Sequence, residues 1–394
     1  MAVCPYEKNN KVLLLKILKS DSPVLLGRFL FFIKEEMSKI SFFLGLLFLT
    51  FVLTACENDL KVPYFSTDIE YMGRVDVSGS SAKLMWPGSS AKITFEGSEV
   101  YAEMDDENGK NYYNVIIDDD SIFILHPDTG KRKYLLAKGL GEGRHTVELF
   151  KRTEWPNGTT RFYGFEIKGN AGIFPPRRDK ELKLEFYGNS ITAGYAVEDY
   201  SGKDRPDSIF TNNYYSYAAV AARELNAEYY CIARGGIGIM LSWYPMIMPE
   251  MYDRLDPSDP ESKWDFSLYT PDVVVINLFQ NDSWLVNKPD FPEFKHRFGT
   301  TPPTEEFIVE SYKKFVTAIR NKYPAAKIIC MLGNMDITRK GSPWPGYVSK
   351  AVEELKDKNI HTLFVPYKNT PGHPKIEEQE AMADELVKKI KEIK

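Results

Sequence analysis

Two rhythms of apolar and polar residues divide the chain. Between about Tyr71 and Lys168, apolar positions alternate with polar ones, as in Ala91-Lys-Ile-Thr-Phe-Glu, Val100-Tyr-Ala-Glu-Met, Asn114-Val-Ile-Ile-Asp and His145-Thr-Val-Glu-Leu-Phe. Successive side chains of a strand point to opposite faces, so a period of two marks half-buried strands. Turn-forming residues separate them at Pro87-Gly88, Glu107-Asn-Gly109 and Asp128-Thr-Gly130. Many short strands at this spacing predict an antiparallel β-sandwich over 71–172, with no helix of useful length.

Pro175-Pro176-Arg-Arg marks a stiff linker over 173–181, and beyond it the rhythm changes to strand–helix alternation. Strands are expected at Leu182–Tyr187, Tyr229–Ala233, Asp272–Leu278, Lys327–Leu332 and His361–Val365, and helices at Asn213–Leu225, Thr304–Lys322, Val348–Asp357 and Glu377–Ile393. Near-continuous apolar runs such as Asp272-Val-Val-Val-Ile-Asn-Leu278 belong to parallel strands covered on both faces. Residues 182–394 therefore predict a doubly wound α/β domain with a parallel sheet. No internal repeat or low-complexity segment interrupts either half.

The N-terminal region follows neither rhythm. Met37-Ser-Lys-Ile-Ser leads into the apolar run Phe42–Leu53 and then Leu53-Thr-Ala-Cys56. A basic start, a short apolar core and small residues before a cysteine read as a secretion signal. Spanning a bilayer takes about 20 apolar residues, more than this run supplies. Leu-Thr-Ala-Cys resembles the lipobox of bacterial lipoproteins, in which Cys56 would carry the lipid anchor. An uncleaved membrane anchor is the competing reading. Residues 1–55 are thus expected to be a signal peptide with an extension from an upstream start site, and 56–70 a polar tether. The implied location is the bacterial cell envelope, on the periplasmic or the surface side.

Composition narrows the function classes. The chain of 394 residues is 43% hydrophobic and 27% charged, enough to bury a sizeable core. Its net charge of -5 provides no basic excess for neutralising phosphates, which argues against a nucleic-acid partner. Past Cys56, only Cys231 and Cys330 remain, both in apolar strand-like runs, so one disulfide is the most that can form. His126, His145, His296, His361 and His373 are scattered without the close spacing a zinc site needs, and neither a metal nor a cofactor is expected.

In open parallel sheets, ligands bind beyond the carboxyl ends of the strands. The residues expected there are Gly188-Asn-Ser190, Arg234-Gly-Gly-Ile-Gly238, Phe279-Gln-Asn281-Asp282 and Asn369-Thr-Pro-Gly-His373. Taken singly, each has an ordinary reading, with Ser190 or Asn281-Asp282 as a helix cap, the glycines as a turn and His373 as a surface residue. Taken together they supply what acyl transfer needs. Serine requires a base to take its proton, and imidazole titrates in the right range. The oxyanion requires preorganised donors, which a backbone N–H, the Ser190 N–H and an asparagine amide supply.

Gly188-Asn-Ser190-Ile-Thr192 resembles the first block of the SGNH (GDSL-type) hydrolases, and the later glycine, asparagine and histidine follow in that family's order. The resemblance runs from about Lys183 to the C-terminus. With the β-rich half and its proline joint, the chain resembles carbohydrate esterase family 2, which pairs a jelly roll with an SGNH domain and removes acetyl groups from polysaccharides. The resemblance implies Ser190 as nucleophile, His373 as general base, Asn281 as oxyanion-hole amide and Gly236 as oxyanion-hole glycine, with Gly235 or Gly238 as alternatives for the last. Two positions depart from the family pattern. Phe279 stands where the third block has glycine, and a ring there is expected to reshape the pocket floor. Thr370 stands where the fourth block has aspartate. A backbone carbonyl, a carboxylate from elsewhere or a decayed site would account for the second, and a Ser–His dyad is the expectation. Trp284 and Trp344 lie in loops suited to stacking on sugar rings, although either can serve as core, and Asp282 is expected to support its loop.

The reading is a lipid-anchored serine esterase that deacetylates carbohydrate. Its rivals are a lipid or thioester hydrolase of the same fold, with an apolar acyl tunnel, and a non-catalytic glycan-binding lipoprotein.

Overall fold

The computed structural model describes residues 58–394 except Arg178, together with a few helical positions between Val24 and Lys39. Met1–Glu57 and Asn58–Lys394 are separate units, and the second contains both expected domains. Cys56 and most of the expected signal segment lie outside the described residues. Among the described residues no helix is long and apolar enough to cross a membrane.

The first half of Asn58–Lys394 consists of eleven strands in two antiparallel sheets. They are β1 (Leu60–Pro63), β2 (Glu70–Met72), β3 (Ala82–Leu84), β4 (Ser90–Glu96), β5 (Glu99–Asp106), β6 (Tyr113–Ile117), β7 (Ser121–Leu125), β8 (Arg132–Lys138), β9 (His145–Lys151), β10 (Thr160–Lys168) and β11 (Gly172–Phe174). One sheet runs β1-β10-β5-β8 with β3 also on β10, and the other runs β11-β4-β9-β6-β7 with β2 also on β4. The period of two does its work clearly in β5, where Val100, Ala102 and Met104 are buried and the residues between them are half-exposed. Inward residues of both sheets, among them Ile93, Phe95, Val115, Val147, Leu149 and Phe162, form the sandwich core. Two expected boundaries move. The polar tether over 56–70 contains β1, which pairs with β10 from Leu60↔Ile167 to Pro63↔Gly164. The linker over 173–181 begins inside β11, which pairs with β4. Both strands are too short for a hydrophobic period to reveal.

The second half is a parallel sheet, ordered β13 (Ala227–Ala233), β12 (Leu182–Gly188), β14 (Val273–Asn277), β15 (Lys327–Leu332) and β16 (Ile360–Phe364). Its helices are α1 (Ser190–Ala193), α2 (Tyr217–Glu224), α3 (Gln280–Leu285), α4 (Pro292–Phe298), α5 (Glu305–Lys322), α6 (Trp344–Leu355) and α7 (Ile376–Ile393). All five residues of β14 are buried because both faces are covered. Val274 and Ile276 pack with Ile308, Phe315 and Val316 of α5 and Val348 of α6. Val273 and Val275 pack on the other face with Tyr217 and Ala221 of α2 and Leu386 of α7. The expected helix at Asn213–Leu225 is interrupted, because a single 3-10 turn precedes α2 and Ser216 caps the latter. Cys231 and Cys330 are buried thiols on β13 and β15. Two strands separate them, about 14 Å at ordinary strand spacing, so the possible disulfide is ruled out.

Candidate active site

The carboxyl end of β12 stops at Gly188, where a Cβ would lie 2.0 Å from the Thr192 hydroxyl oxygen. Asn189 then caps α1, its side-chain oxygen accepting the Ile191 N–H at 3.0 Å. The cap is therefore Asn189, and Ser190 is the first helical residue, with its hydroxyl left for another partner. That partner is His373, whose Nε2 lies 2.8 Å from Ser190 Oγ.

The other imidazole nitrogen settles what stands in for the aspartate absent at Thr370. His373 Nδ1 lies 2.6 Å from Asp204 Oδ2, and the His373 N–H donates to the same carboxylate at 2.8 and 3.0 Å. The expected dyad is thus replaced by a Ser190–His373–Asp204 line, its carboxylate arriving from a loop just after α1. Burial works against ionisation of Asp204, but its bonds to His373 and Lys375 hold its carboxyl well below the usual carboxylate range. An ionised carboxylate only accepts, so the proton of neutral His373 resides on Nδ1 and Nε2 faces the serine. The Tyr195 and His373 rings pack edge-to-face, centroids 5.0 Å apart. Thr370 has other work, accepting from Lys368 Nζ at 2.6 Å and donating to Glu378.

Opposite lies the turn after β13. The N–H groups of Arg234 and Ile237 donate to backbone oxygens, Gly235 donates to Glu154, and Gly238 donates to Ser242 Oγ. Ile239, Met240 and Leu241 donate to the Asp282 carboxylate at 3.0, 2.7 and 2.9 Å. The Gly236 N–H has no such partner among the described residues, and Gly236 borders the same cleft as Ser190. Its φ of +79° lies in the left-handed region that favours glycine. Among the three glycines considered, this is the one whose N–H is available for an oxyanion. Asn281 borders the same cleft and is held by two hydrogen bonds. Its oxygen accepts from Trp243 Nε1 at 3.1 Å, and its Nδ2 donates one proton to Ile237 O at 2.8 Å. The second amide proton has no partner among the described residues. Asp282, expected to support its own loop, lies in α3 and holds the turn after β13 instead. Burial pushes its carboxyl up to about 6, opposed by the three backbone N–H groups.

Ser190, His373, Gly236, Asn281 and Trp284 share one cleft of about 510 Å³, which also takes Glu154, Pro156 and Asn157 from the sandwich. Trp284 is half-buried, its Nε1 held by Asp336 at 2.8 and 3.0 Å. Trp344 is not part of the cleft. Only 6% exposed, it packs edge-on against Phe279 at 5.0 Å. Phe279 likewise leaves the pocket floor untouched, because its backbone adopts φ +78° and its ring turns into the core against Tyr312 and Trp344. The residue keeps the conformation that favours glycine and puts its bulk elsewhere. Sequence reasoning missed Asp204, Glu154, Arg234 as a cleft residue and Trp243. Trp243, 40% exposed on the cleft wall, follows the glycine cluster closely and was the most findable.

Fold and site together define a two-domain α/β hydrolase of the SGNH type. The family model for the carbohydrate esterase 2 N-terminal domain matches residues 71–176. A cellulase/esterase, CelE, of Acetivibrio thermocellus is 32% identical over 343 residues, 82% of this chain but 39% of that longer protein. An acetylxylan esterase/glucomannan deacetylase of Cellvibrio japonicus is 24% identical over 375 residues, covering 90% of this chain and 99% of its own length. A solved family two carbohydrate esterase from Clostridium thermocellum, in complex with cellohexaose, superposes with a TM-score of 0.73 at 31% identity, covering 82% of this chain and 98% of that one. The chain belongs to carbohydrate esterase family 2.

Proposed function

We propose that this protein removes acetyl groups from a polysaccharide or oligosaccharide by serine catalysis, and that a lipid on Cys56 holds it at the bacterial cell envelope. The observation that carries the catalytic reading is the unbroken hydrogen-bonded line from Ser190 Oγ through His373 to Asp204. Ser190 Oγ attacks the acetyl carbonyl while His373 Nε2 takes its proton. The oxyanion is received by the Gly236 N–H, the free Asn281 amide proton and the Ser190 N–H. The bond to the sugar oxygen breaks, and His373 returns the proton to that oxygen. Water then attacks the acetyl-serine, giving its proton to His373, and acetate departs as Ser190 regains its hydrogen.

Carbohydrate as the substrate class is supported by the relatives, named for acetylxylan and glucomannan and, in one structure, bound to cellohexaose. The cleft agrees. Trp243 and Trp284 line it, and aromatic rings of this kind suit contact with sugar rings. Hydrolysis of 4-nitrophenyl acetate and acetate release from acetylated xylan test the reading. The Ser190→Ala variant is expected to lose about 10⁴-fold or more in kcat. Equal rates in wild type and variant would leave only the glycan-binding alternative. For the anchor, cells expressing the full chain are expected to incorporate labelled fatty acid into the wild type and not into Cys56→Ala. Label retained in that variant removes Cys56 from the role.

A further inference from the structure

The Gly236 N–H can serve an oxyanion only if its peptide is held still, and the groups around it are held from three sides. The preceding peptide gives the Gly235 N–H to the Glu154 carboxylate. The Gly235 carbonyl accepts from the Tyr244 hydroxyl at 3.0 Å. The Gly236 carbonyl accepts the Trp243 N–H at 3.0 Å. A peptide unit is planar and trans, so fixing the Gly235 carbonyl fixes the opposite direction of the Gly236 N–H.

Glu154 comes from the β-sandwich, at the entry to a one-turn 3-10 helix, Trp155–Asn157. Its position is itself secured. The buried Lys151 Nζ bonds Asn111 Oδ1 at 2.6 Å, Thr153 O at 2.9 Å and Glu154 O at 3.4 Å. Trp155 and Tyr244 lie on the Arg234 guanidinium at 4.5 and 3.3 Å, joining the two segments beside the turn. Space is matched as well, since a Cβ on Gly235 would sit 3.0 Å from Glu154 Oε1.

We infer that Glu154 and Tyr244 are positioning residues of the esterase, a two-point lock that aims the Gly236 N–H at the developing oxyanion. The sandwich thereby becomes part of the catalytic apparatus. The lock rests on acyl transfer at Ser190. Neither side chain touches the reacting atoms, so its signature is a fall in kcat with little change in KM. Only an acceptor is needed at Glu154, so glutamine can replace it.

The test is steady-state hydrolysis of 4-nitrophenyl acetate by the whole protein carrying Glu154→Ala, Glu154→Gln or Tyr244→Phe, with Ser190→Ala alongside. Complete loss of an oxyanion donor costs about 10²–10³ in kcat, and partial misorientation is expected to cost at least about tenfold. Glu154→Ala and Tyr244→Phe should both show it at nearly constant KM, and Glu154→Gln should recover most of the rate. Should Glu154→Ala not fold, Tyr244→Phe decides, because its ring stays on Arg234. With Ser190→Ala inert, unchanged kcat in Glu154→Ala and Tyr244→Phe, or a change in KM alone, overturns the lock. If Ser190→Ala is as active as wild type, acyl transfer at Ser190 falls and takes the lock with it.

Discussion

Asp204 is held on the histidine by backbone that few residues tolerate. Its own φ is +52° and that of Gly372 is +71°, where a Cβ would lie 2.6 Å from Asp204 Oδ1. This contact keeps the carboxylate against both the ring and the backbone N–H of His373. Asp204→Asn keeps the shape but brings an amide that can accept only through one oxygen, and it removes the charge that stabilises the imidazolium. By analogy with other serine triads, kcat is expected to fall about 10³–10⁴-fold with KM nearly constant. The pH dependence has a definite sign. The folded-state pKa of Asp204 is depressed, so its stabilisation is complete above the unfolded value of about 3.9 and is lost as pH falls below it. Unfolding followed from pH 6 downward should show a steeper loss for wild type than for Asp204→Asn. Parallel curves would mean that Asp204 gains nothing from its partners.

At the scale of elements, the turn after β13 and the start of α3 form one piece. Asp282 of α3 gathers three successive N–H groups of the turn, and Asn281 beside it ties to Ile237 O. The approach is close enough to require glycine at 238, where a Cβ would lie 2.1 Å from Leu241 O and 2.4 Å from Asp282 Oδ2. Gly238→Ala is expected to destabilise by about 1–3 kcal/mol, typical of overpacking, and to lower kcat because the same turn carries Gly236. Thermal unfolding and esterase assays on that variant check both, and a wild-type Tm would show that the turn yields freely. Phe279 begins α3 in a left-handed conformation that costs about 1–2 kcal/mol, and its fully buried ring offsets the strain.

Across the whole molecule, the sandwich and the hydrolase layer are tied by buried polar anchors. Arg74 of the sandwich bonds Glu185 of β12 at 3.0 Å, the Tyr187 hydroxyl at 3.1 Å and the carbonyls of Tyr252 and Arg254 at 2.6 and 2.9 Å. Arg152 reaches Glu198 and Ile209 O, on either side of Asp204 in the same loop. Removing one member of a buried pair strands the other charge, at a cost of about 3–5 kcal/mol. Arg74→Ala should therefore lower the Tm in a single transition that includes the hydrolase half. A drop confined to the sandwich signal would separate the two halves energetically.

The elements were legible where their signal is local. Lys327–Leu332 reads from the sequence as the strand it forms, and the helix expected over Thr304–Lys322 forms as α5, with Thr304 as its cap. Family spacing brought Ser190, Gly236, Asn281 and His373 into view, and the fold gathers these four in one cleft. Other features depended on contacts that no period records. Asp204 meets His373 across 169 residues, and Glu154 reaches Gly235 across 81. Phe279 and Trp344 turned inward because a positive φ and a core layer received them, facts of backbone path rather than of residue type. Hydrophobic rhythm and capping act over a few neighbours and are written in the chain. Which distant carboxylate meets a histidine, and which domain reaches the turn after β13, is decided only when packing brings the loops together.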